Sequence, residues 1–599
     1  MQKNTFSLID IANAGLRLLP YLPKVIYYNK SLNKLNPDSF LSTGLIFEKM
    51  AEKYPERFFL LFEDKKWTYK DFNIWVNQIA HVLKRRGVCS GDCVGLMFEN
   101  CPELLACTLA VNKLGAIAAM INYHQRDKIL QHSINLVKPK ILIVGDTCLD
   151  SVSSILSTLD PKILLFSYAT EKEYFEYLSL SKEIADQPSI NLSETRQIKL
   201  RQKCYYIFTS GTTGLPKAAS MTHYRWYKAG IAMGLMSMRL KSKDVMYCPL
   251  PLYHNNALTV ALSSVINSGS ALALSRKFSS THFWEDIRKF EATCFIYVGE
   301  LCRYLLNSPK QINDSKNKVR VIIGNGMRPE IWEDFQKRFS INHICEFYGA
   351  SENSTAFVNL LNLKKTAGFG PMSYAIVRFD TNKEKPIINS YGFMNKVNKG
   401  ESGLLLTEVN RNIPFDGYND RKATEAKLFR NVFQKGDCWF NTGDLVKDQG
   451  FRHISFVDRV GDTYRWKGEN IATTEIEGVI QKFPFIAEAV VYGVEVPNTD
   501  GKAGMVAITL ESRTSIDLLN LYKYLKSKLP VYSIPLFIRI QKKQECTETF
   551  KIKKSDLKKK SFRSHDPDSE IYVLYDKDQG YKKLTNDILH LIEIGQFKF

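Results

Sequence analysis

The sequence predicts an α/β protein: a large N-terminal domain of mixed sheets and helices, followed by a small α+β domain. Three observations predict this. A chain of 599 residues is too long for one compact core. Apolar runs of strand length alternate with helical periodicity through the first three quarters, the pattern of α/β units with parallel sheets. Near Asp458 the alternation gives way to a shorter α+β pattern. The division is residues 1–457, a linker at 458–462, and 463–599.

In chain order, Leu16 to Tyr28 (LRLLPYLPKVIYY) carries only Arg17 and Lys24 as charges, and Pro20 and Pro23 interrupt it. It is too short to span a bilayer and has the composition of a segment that lies on one. Packing on the protein's own surface is the alternative. Cys93–Phe98 reads as a strand followed by a helix over Pro102–Leu114, and Lys140–Val144 and Lys162–Phe166 as further strands. Val245 to Ser275 holds no Lys, Arg, Asp or Glu, but Pro249, Pro251 and the polar run Asn267–Ser270 break it. Its pieces cannot cross a hydrocarbon core of about 30 Å. Asn256–Ile266 therefore reads as a buried helix and Ala271–Ser275 as a strand. Arg320–Ile323 is a strand ending in a glycine turn, with a helix over Pro329–Phe339. In the small domain, Ala487–Tyr492 and Gly504–Leu510 read as strands and Leu518–Leu529 as a helix.

Composition narrows the function classes. With 44% hydrophobic and 24% charged residues the chain is globular rather than disordered. A net charge of +20 suits anionic partners such as nucleotides, coenzyme A or an acidic membrane surface. No nucleic-acid module accompanies the charge, so no nucleic acid is expected. The twelve cysteines form no C-x-x-C and no zinc spacing, which fits reduced thiols in a cytoplasmic protein. Lys3 is followed by mixed polar residues, so no secretory leader pattern is read there.

The chemistry is concentrated in a few strings. Tyr206–Lys217, YIFTSGTTGLPK, runs a strand into a loop of Thr209, Ser210, Gly211, Thr212, Thr213 and Gly214, with Lys217 beyond. Glycines let backbone N–H groups close on phosphate, hydroxyls donate further, and the lysine adds charge. It is not a Walker A loop, which would require Gly-Lys where Gly211 plus five is Pro216. Glu346–Asn353 (EFYGASEN), Asn441–Leu445 (NTGDL), Phe456–Glu477 and Thr547–Lys554 (TETFKIKK) follow in that order.

On these strings the chain resembles the adenylate-forming superfamily of acyl-CoA synthetases, luciferases and peptide-synthetase adenylation domains. The resemblance covers roughly Thr68 to Lys554. It implies a large N-terminal adenylate-forming domain and a phosphate loop at Thr209–Lys217. Gly324, Tyr348, Gly349, Ala350 and Ser351 would line the ATP/AMP site, with Tyr348 packed on adenine. Glu352 would act in catalysis by holding Mg²⁺, a hard cation that takes one or two carboxylates beside phosphates. Asp444 would accept from the ribose hydroxyls, and Arg459 would contact ribose and phosphate. Gly461 stands where relatives place the hinge, often as Asp or Lys, and glycine suits a pivot. Lys467 and Gly468 match a turn near coenzyme A. Lys551 would be the catalytic lysine that neutralises charge in adenylation.

The T-F-K form at Thr549–Lys551, with LGAIAAMIN (Leu114–Asn122), YVGELCRYLL (Tyr297–Leu306), IGNGMRP (Ile323–Pro329) and YRWKGEN (Tyr464–Asn470), is similar to fatty acid transport protein-type and very-long-chain acyl-CoA synthetases. Asn353 departs from the glycine common there. The implied partners are fatty acid, ATP and coenzyme A, with a peripheral membrane surface on the cytoplasmic face. A fatty acyl-AMP ligase, or a non-enzymatic membrane-associated lipid uptake factor, are the alternatives.

Overall fold

In the computed structural model the described residues are 5–168, 175–210, 215–349, 356–380, 384–410, 421–467, 469–497, 499, 501–511, 514–544, 554–563, 566, 568–576 and 579–597. Two sheets dominate the large domain. One, of seven strands among the described residues, runs in the order Leu178–Ser179, Leu164–Tyr168, Ile141–Gly145, Cys93–Met97, Ile117–Ile121, Lys203–Ser210, Pro216–Thr222. All its pairings are parallel except the last, an antiparallel hairpin. The other is larger and changes character along its width. Its parallel half joins Phe58–Phe62, Ala271–Leu274, Val245–Cys248, Cys294–Val298, Val321–Asn325 and Ile344–Gly349. Its antiparallel half includes Ser402–Glu408, Cys438–Gly450 and His453–Arg459.

The strands are near-continuous apolar runs because parallel sheets are covered on both faces. The helix Pro102–Lys113 shows what that covering requires. Proline at its first position costs no hydrogen bond, and all its residues except Glu103 are buried, Lys113 among them. The Lys113 ammonium is satisfied internally: it donates to Asn73 (2.7 Å) and Asn77 (2.5 Å) and pairs with Glu48 at 2.8 Å. Burial pushes this ammonium down to about 8, with Glu48 opposing. A buried pair of this kind is costly to break from one side only.

The two sheets are tied at their carboxyl ends by one side chain. Asn100, three residues beyond the strand Cys93–Met97, donates to the carbonyls of Leu250 and Ser275 (both 2.9 Å) and accepts from the Leu252 N–H at 2.8 Å. Leu250 follows the strand Val245–Cys248, and Ser275 follows Ala271–Leu274. Ligands of open α/β sheets bind beyond the carboxyl ends of the strands, so this seam places the candidate loops.

Two predicted elements differ in detail. The segment read as a helix from Asn256 opens as a wider π-helical stretch, Asn256–Ala261, and becomes α-helical only over Leu262–Ser268. A second π stretch, Gly230–Ser237, packs against it. The packing is close because glycines allow it: a Cβ on Gly230 would lie 2.7 Å from the Ser263 carbonyl, and one on Gly234 2.7 Å from the Ser264 Cβ. The helix expected from Pro329 starts at Trp332, because Arg328–Ile331 forms a turn closed by the Ile331 N–H on the Arg328 carbonyl.

The small domain has its own core. Tyr464, Trp466, Ile476, Val491, Tyr492, Met505, Val506, Leu525, Phe537 and Val573 pack together apart from the large core. Its five-stranded sheet runs Ile486–Glu495, Lys502–Leu510, Phe537–Gln541, Ser569–Asp576, Gly580–Lys583.

At the N-terminus, helices Leu8–Leu18 and Leu22–Asn33 lie on the large domain. Ala14 and Leu18 are buried, and Arg239 stacks over the Tyr21 ring at 4.0 Å. On the outer side Leu8, Ile9, Leu16, Leu19, Ile26 and Tyr27 are exposed. One face of this segment thus packs on the protein's own surface while the other presents apolar side chains. Among the described residues no helix is long and apolar enough to cross a membrane.

Candidate functional site

The antiparallel half of the large sheet brings three predicted residues together. Asp444 on Cys438–Gly450 stands opposite Arg459 on His453–Arg459. The Tyr348 hydroxyl donates to Asp444 Oδ2 at 2.6 Å, and Arg459 Nε lies 3.5 Å from Asp444 Oδ1. Burial, with Asp444 beside it, pushes the Tyr348 hydroxyl well above its ordinary range, so it stays a donor. A carboxylate is an acceptor-only group with two oxygens, the chemistry that a diol needs opposite it. Fixing the phenol at its hydroxyl orients the ring, which meets the Phe357 ring in a T-shaped contact at 6.0 Å. Gly443, at φ +76°, and Thr442, whose hydroxyl accepts from the Asp444 N–H at 3.1 Å, shape the turn that aims this carboxylate.

The phosphate-loop residues sit on the other sheet. Thr209 and Lys217 are paired across the hairpin formed by Lys203–Ser210 and Pro216–Thr222, and Ser210 pairs with Pro216. His132 reaches the Pro216 carbonyl at 3.0 Å and ties this hairpin to the helix Asp127–Val137. Gly324 pairs with Tyr297 on one side and Glu346 on the other. Gly349 closes the strand Ile344–Gly349. Gly211, Thr212, Thr213, Gly214, Ala350, Ser351, Glu352, Gly468 and Lys551 lie outside the described residues.

At the linker, Gly461 has φ +90°, a left-handed backbone that favours glycine. Lys558 donates to its carbonyl at 2.6 Å and pairs with Asp462 at 2.8 Å. Lys467 also has positive φ, at the turn between Tyr464–Trp466 and Glu469–Ile471. Lys554, three residues past Lys551, pairs with Glu477 at 2.9 Å. Burial acts to lower this ammonium, but Glu477, Asp458 and Asp462 together hold it above its usual range.

Sequence reasoning missed a line of alternating charges between the domains. Arg303 bonds Glu300 (2.6 Å) and Glu488 of the small domain (2.6 Å); Arg328 bonds Glu300 at 3.0 Å and faces Glu477 at 3.7 Å. The signal was present, since Glu300 and Arg303 sit three apart in the helical string YVGELCRYLL. The partners in the small domain could not be named from it.

With this geometry in place, the family models decide the class. The model described as AMP-binding enzyme matches residues 47–392, and that described as AMP-binding enzyme C-terminal domain matches 475–551. The chain belongs to the AMP-binding enzyme family. Within the family it is 44% identical over 592 residues to a medium/long-chain-fatty-acid–CoA ligase of Mycobacterium tuberculosis, covering 99% of this chain and 98% of that protein. It is 36% identical to long-chain fatty acid transport protein 6 of Mus musculus, over 96% of this chain and 95% of that protein. Among solved structures, an anthranilate CoA ligase with anthranoyl-AMP superposes at TM-score 0.77 and 20% identity, over 88% of this chain and 98% of that one. ATP-bound MatB from Rhodopseudomonas palustris gives 0.72 at 19% identity, over 87% and 99%. These structures share the AMP-binding fold, with its large and small domains.

Proposed function

We propose that the protein is an AMP-forming acyl-CoA synthetase that joins a long-chain or very-long-chain fatty acid to coenzyme A through an acyl-adenylate. The observation that carries this reading is the 44% identity, along nearly the whole of both chains, to a fatty-acid–CoA ligase. Asp444, Arg459 and Tyr348 supply what an adenosine needs: a carboxylate for a diol, a cation and an oriented ring. The domain boundary is placed at 458–462, with Gly461 as the pivot.

In the first half-reaction a fatty acid carboxylate attacks the α-phosphorus of ATP and pyrophosphate leaves. The loop Thr209–Lys217 holds the phosphates and Lys551 neutralises the oxygens that gain charge. Glu352 would hold Mg²⁺, which when bound supplies positive charge across the phosphates. The small domain then turns about Gly461, and Lys467 with Gly468 guides the coenzyme A thiol to the acyl carbonyl, expelling AMP. Assaying AMP release across saturated acids of graded chain length tests the substrate class. Turnover should peak at long or very long chains; a peak at short-chain acids would reject it.

The exposed stripe Leu8, Ile9, Leu16, Leu19, Ile26 and Tyr27, flanked by Arg17, Lys24 and Lys30, supports a peripheral seat on an anionic membrane at the cytoplasmic face. The protein should co-sediment with anionic vesicles, and Leu16→Glu with Ile26→Glu should abolish this while sparing turnover of acids presented in detergent. Equal sedimentation of wild type and double variant would remove the proposal.

A further inference from the structure

The turn after the strand Val321–Asn325 rests on a buried acid to which the reading above gives no role. Glu346, 5% exposed, opens the string EFYGASEN. One of its carboxyl oxygens, Oε1, accepts the N–H of Gly326 and of Met327, the latter at 3.1 Å; the other bonds the Tyr297 hydroxyl. Its own carbonyl accepts the Asn359 N–H at 2.8 Å, which fixes the strand that carries it. Tyr297, Gly324 and Glu346 stand side by side on three neighbouring parallel strands.

Three further contacts confine the same turn. A Cβ on Gly299, the first residue of the helix Gly299–Asn307, would lie 1.6 Å from the Gly326 carbonyl oxygen, so the turn is seated directly on that helix start. Asn325 accepts from the Asn256 side chain at 2.7 Å, at the start of the π stretch. Arg328, next after Met327, continues into the charge line that reaches the small domain. Gly326 itself has φ +81°, a left-handed backbone that glycine adopts without strain.

We propose that Glu346 is a positioning residue for the nucleotide: by binding the Gly326 and Met327 amides it holds the Gly324–Met327 turn in the shape that receives adenosine. This rests on the reading that Gly324 lies against the nucleotide. Without the carboxyl, two adjacent N–H groups lose a shared acceptor; that of Met327 is buried and would be left unpaired, which a fold does not tolerate, while that of Gly326, at the exposed tip of the turn, would turn towards water. The helix start at Gly299 blocks retreat on that side, so the turn relaxes away from it.

The test compares Glu346→Gln with Glu346→Met. Glutamine keeps an acceptor for both amides; methionine fills similar volume without one. Glu346→Met is expected to raise the KM for ATP at least tenfold while the KM for fatty acid stays within twofold, and Glu346→Gln is expected to restore the ATP KM to within threefold of wild type. If Glu346→Met does not fold, Gly299→Ala pushes the same turn from its other side and should raise the ATP KM selectively. ATP binding to wild type without fatty acid is measured in parallel. No binding there would overturn the nucleotide reading and this proposal with it. Wild-type binding with an unchanged ATP KM in a folded Glu346→Met or Gly299→Ala variant would overturn the proposal alone, as would parallel losses in both KM values.

Discussion

The residues that shape the candidate site were visible in the sequence to different degrees. Asp444 and Arg459 came from separate strings, NTGDL and FVDRV, and the sheet register sets them opposite each other. Glu346 lay inside a quoted string but received no role, because burial of a carboxyl depends on strands far away in sequence. Its environment makes a pH prediction. Burial pushes the Glu346 carboxyl up to about 8, while Tyr297, Met327 and Gly326 donate to it and hold it lower than burial alone would. The folded-state value is thus raised above the unfolded one. The protein should lose stability from this group as pH rises from about 4.5 towards 8, because the unfolded chain gives up its proton first. Glu346→Gln cannot ionise, so its melting temperature relative to wild type should climb between pH 5 and pH 8. A difference that is flat across that range would show that this carboxyl is ionised in the fold throughout.

At the scale of elements, the sequence predicted type and order better than ends. Cys93–Met97, Ile141–Gly145 and Leu518–Lys528 fall where the apolar pattern put them, within a residue or so of each end. The π-helical stretches were not legible in the sequence, nor was the close approach of Gly230 and Gly234 to Ser263 and Ser264 across the helix pair, which joins residues far apart in the chain. In the proposed function the linker is the element on which the two half-reactions turn. Gly461 holds φ +90°, and a Cβ there would meet no atom within 4 Å. Proline fixes φ near −65° and so excludes this conformation. Gly461→Pro should impair one half-reaction far more than the other, read as adenylate formation from fatty acid and ATP against thioester formation from supplied acyl-adenylate. Loss of both together with the melting temperature would make Gly461 a structural turn, and retention of both would move the pivot elsewhere.

For the whole molecule, two domains were readable from the change of pattern near Asp458, whereas their mutual seating was not. That seating uses Arg303 against Glu488 and Arg328 against Glu477, charges contributed from both sides and largely removed from water. Such pairs need complementary partners more than they add stability, and only the assembled fold identifies those partners. They must separate if the small domain rotates between adenylation and thioester formation. That two-step chemistry is most directly tested by a single-turnover experiment with a long-chain fatty acid and ATP, withholding coenzyme A and then adding it. Acyl-adenylate and pyrophosphate should accumulate in equal amounts on the enzyme, and coenzyme A should convert the adenylate to acyl-CoA with release of AMP. Acyl-CoA formation with ADP as the product, or an adenylate that coenzyme A cannot discharge, would contradict it.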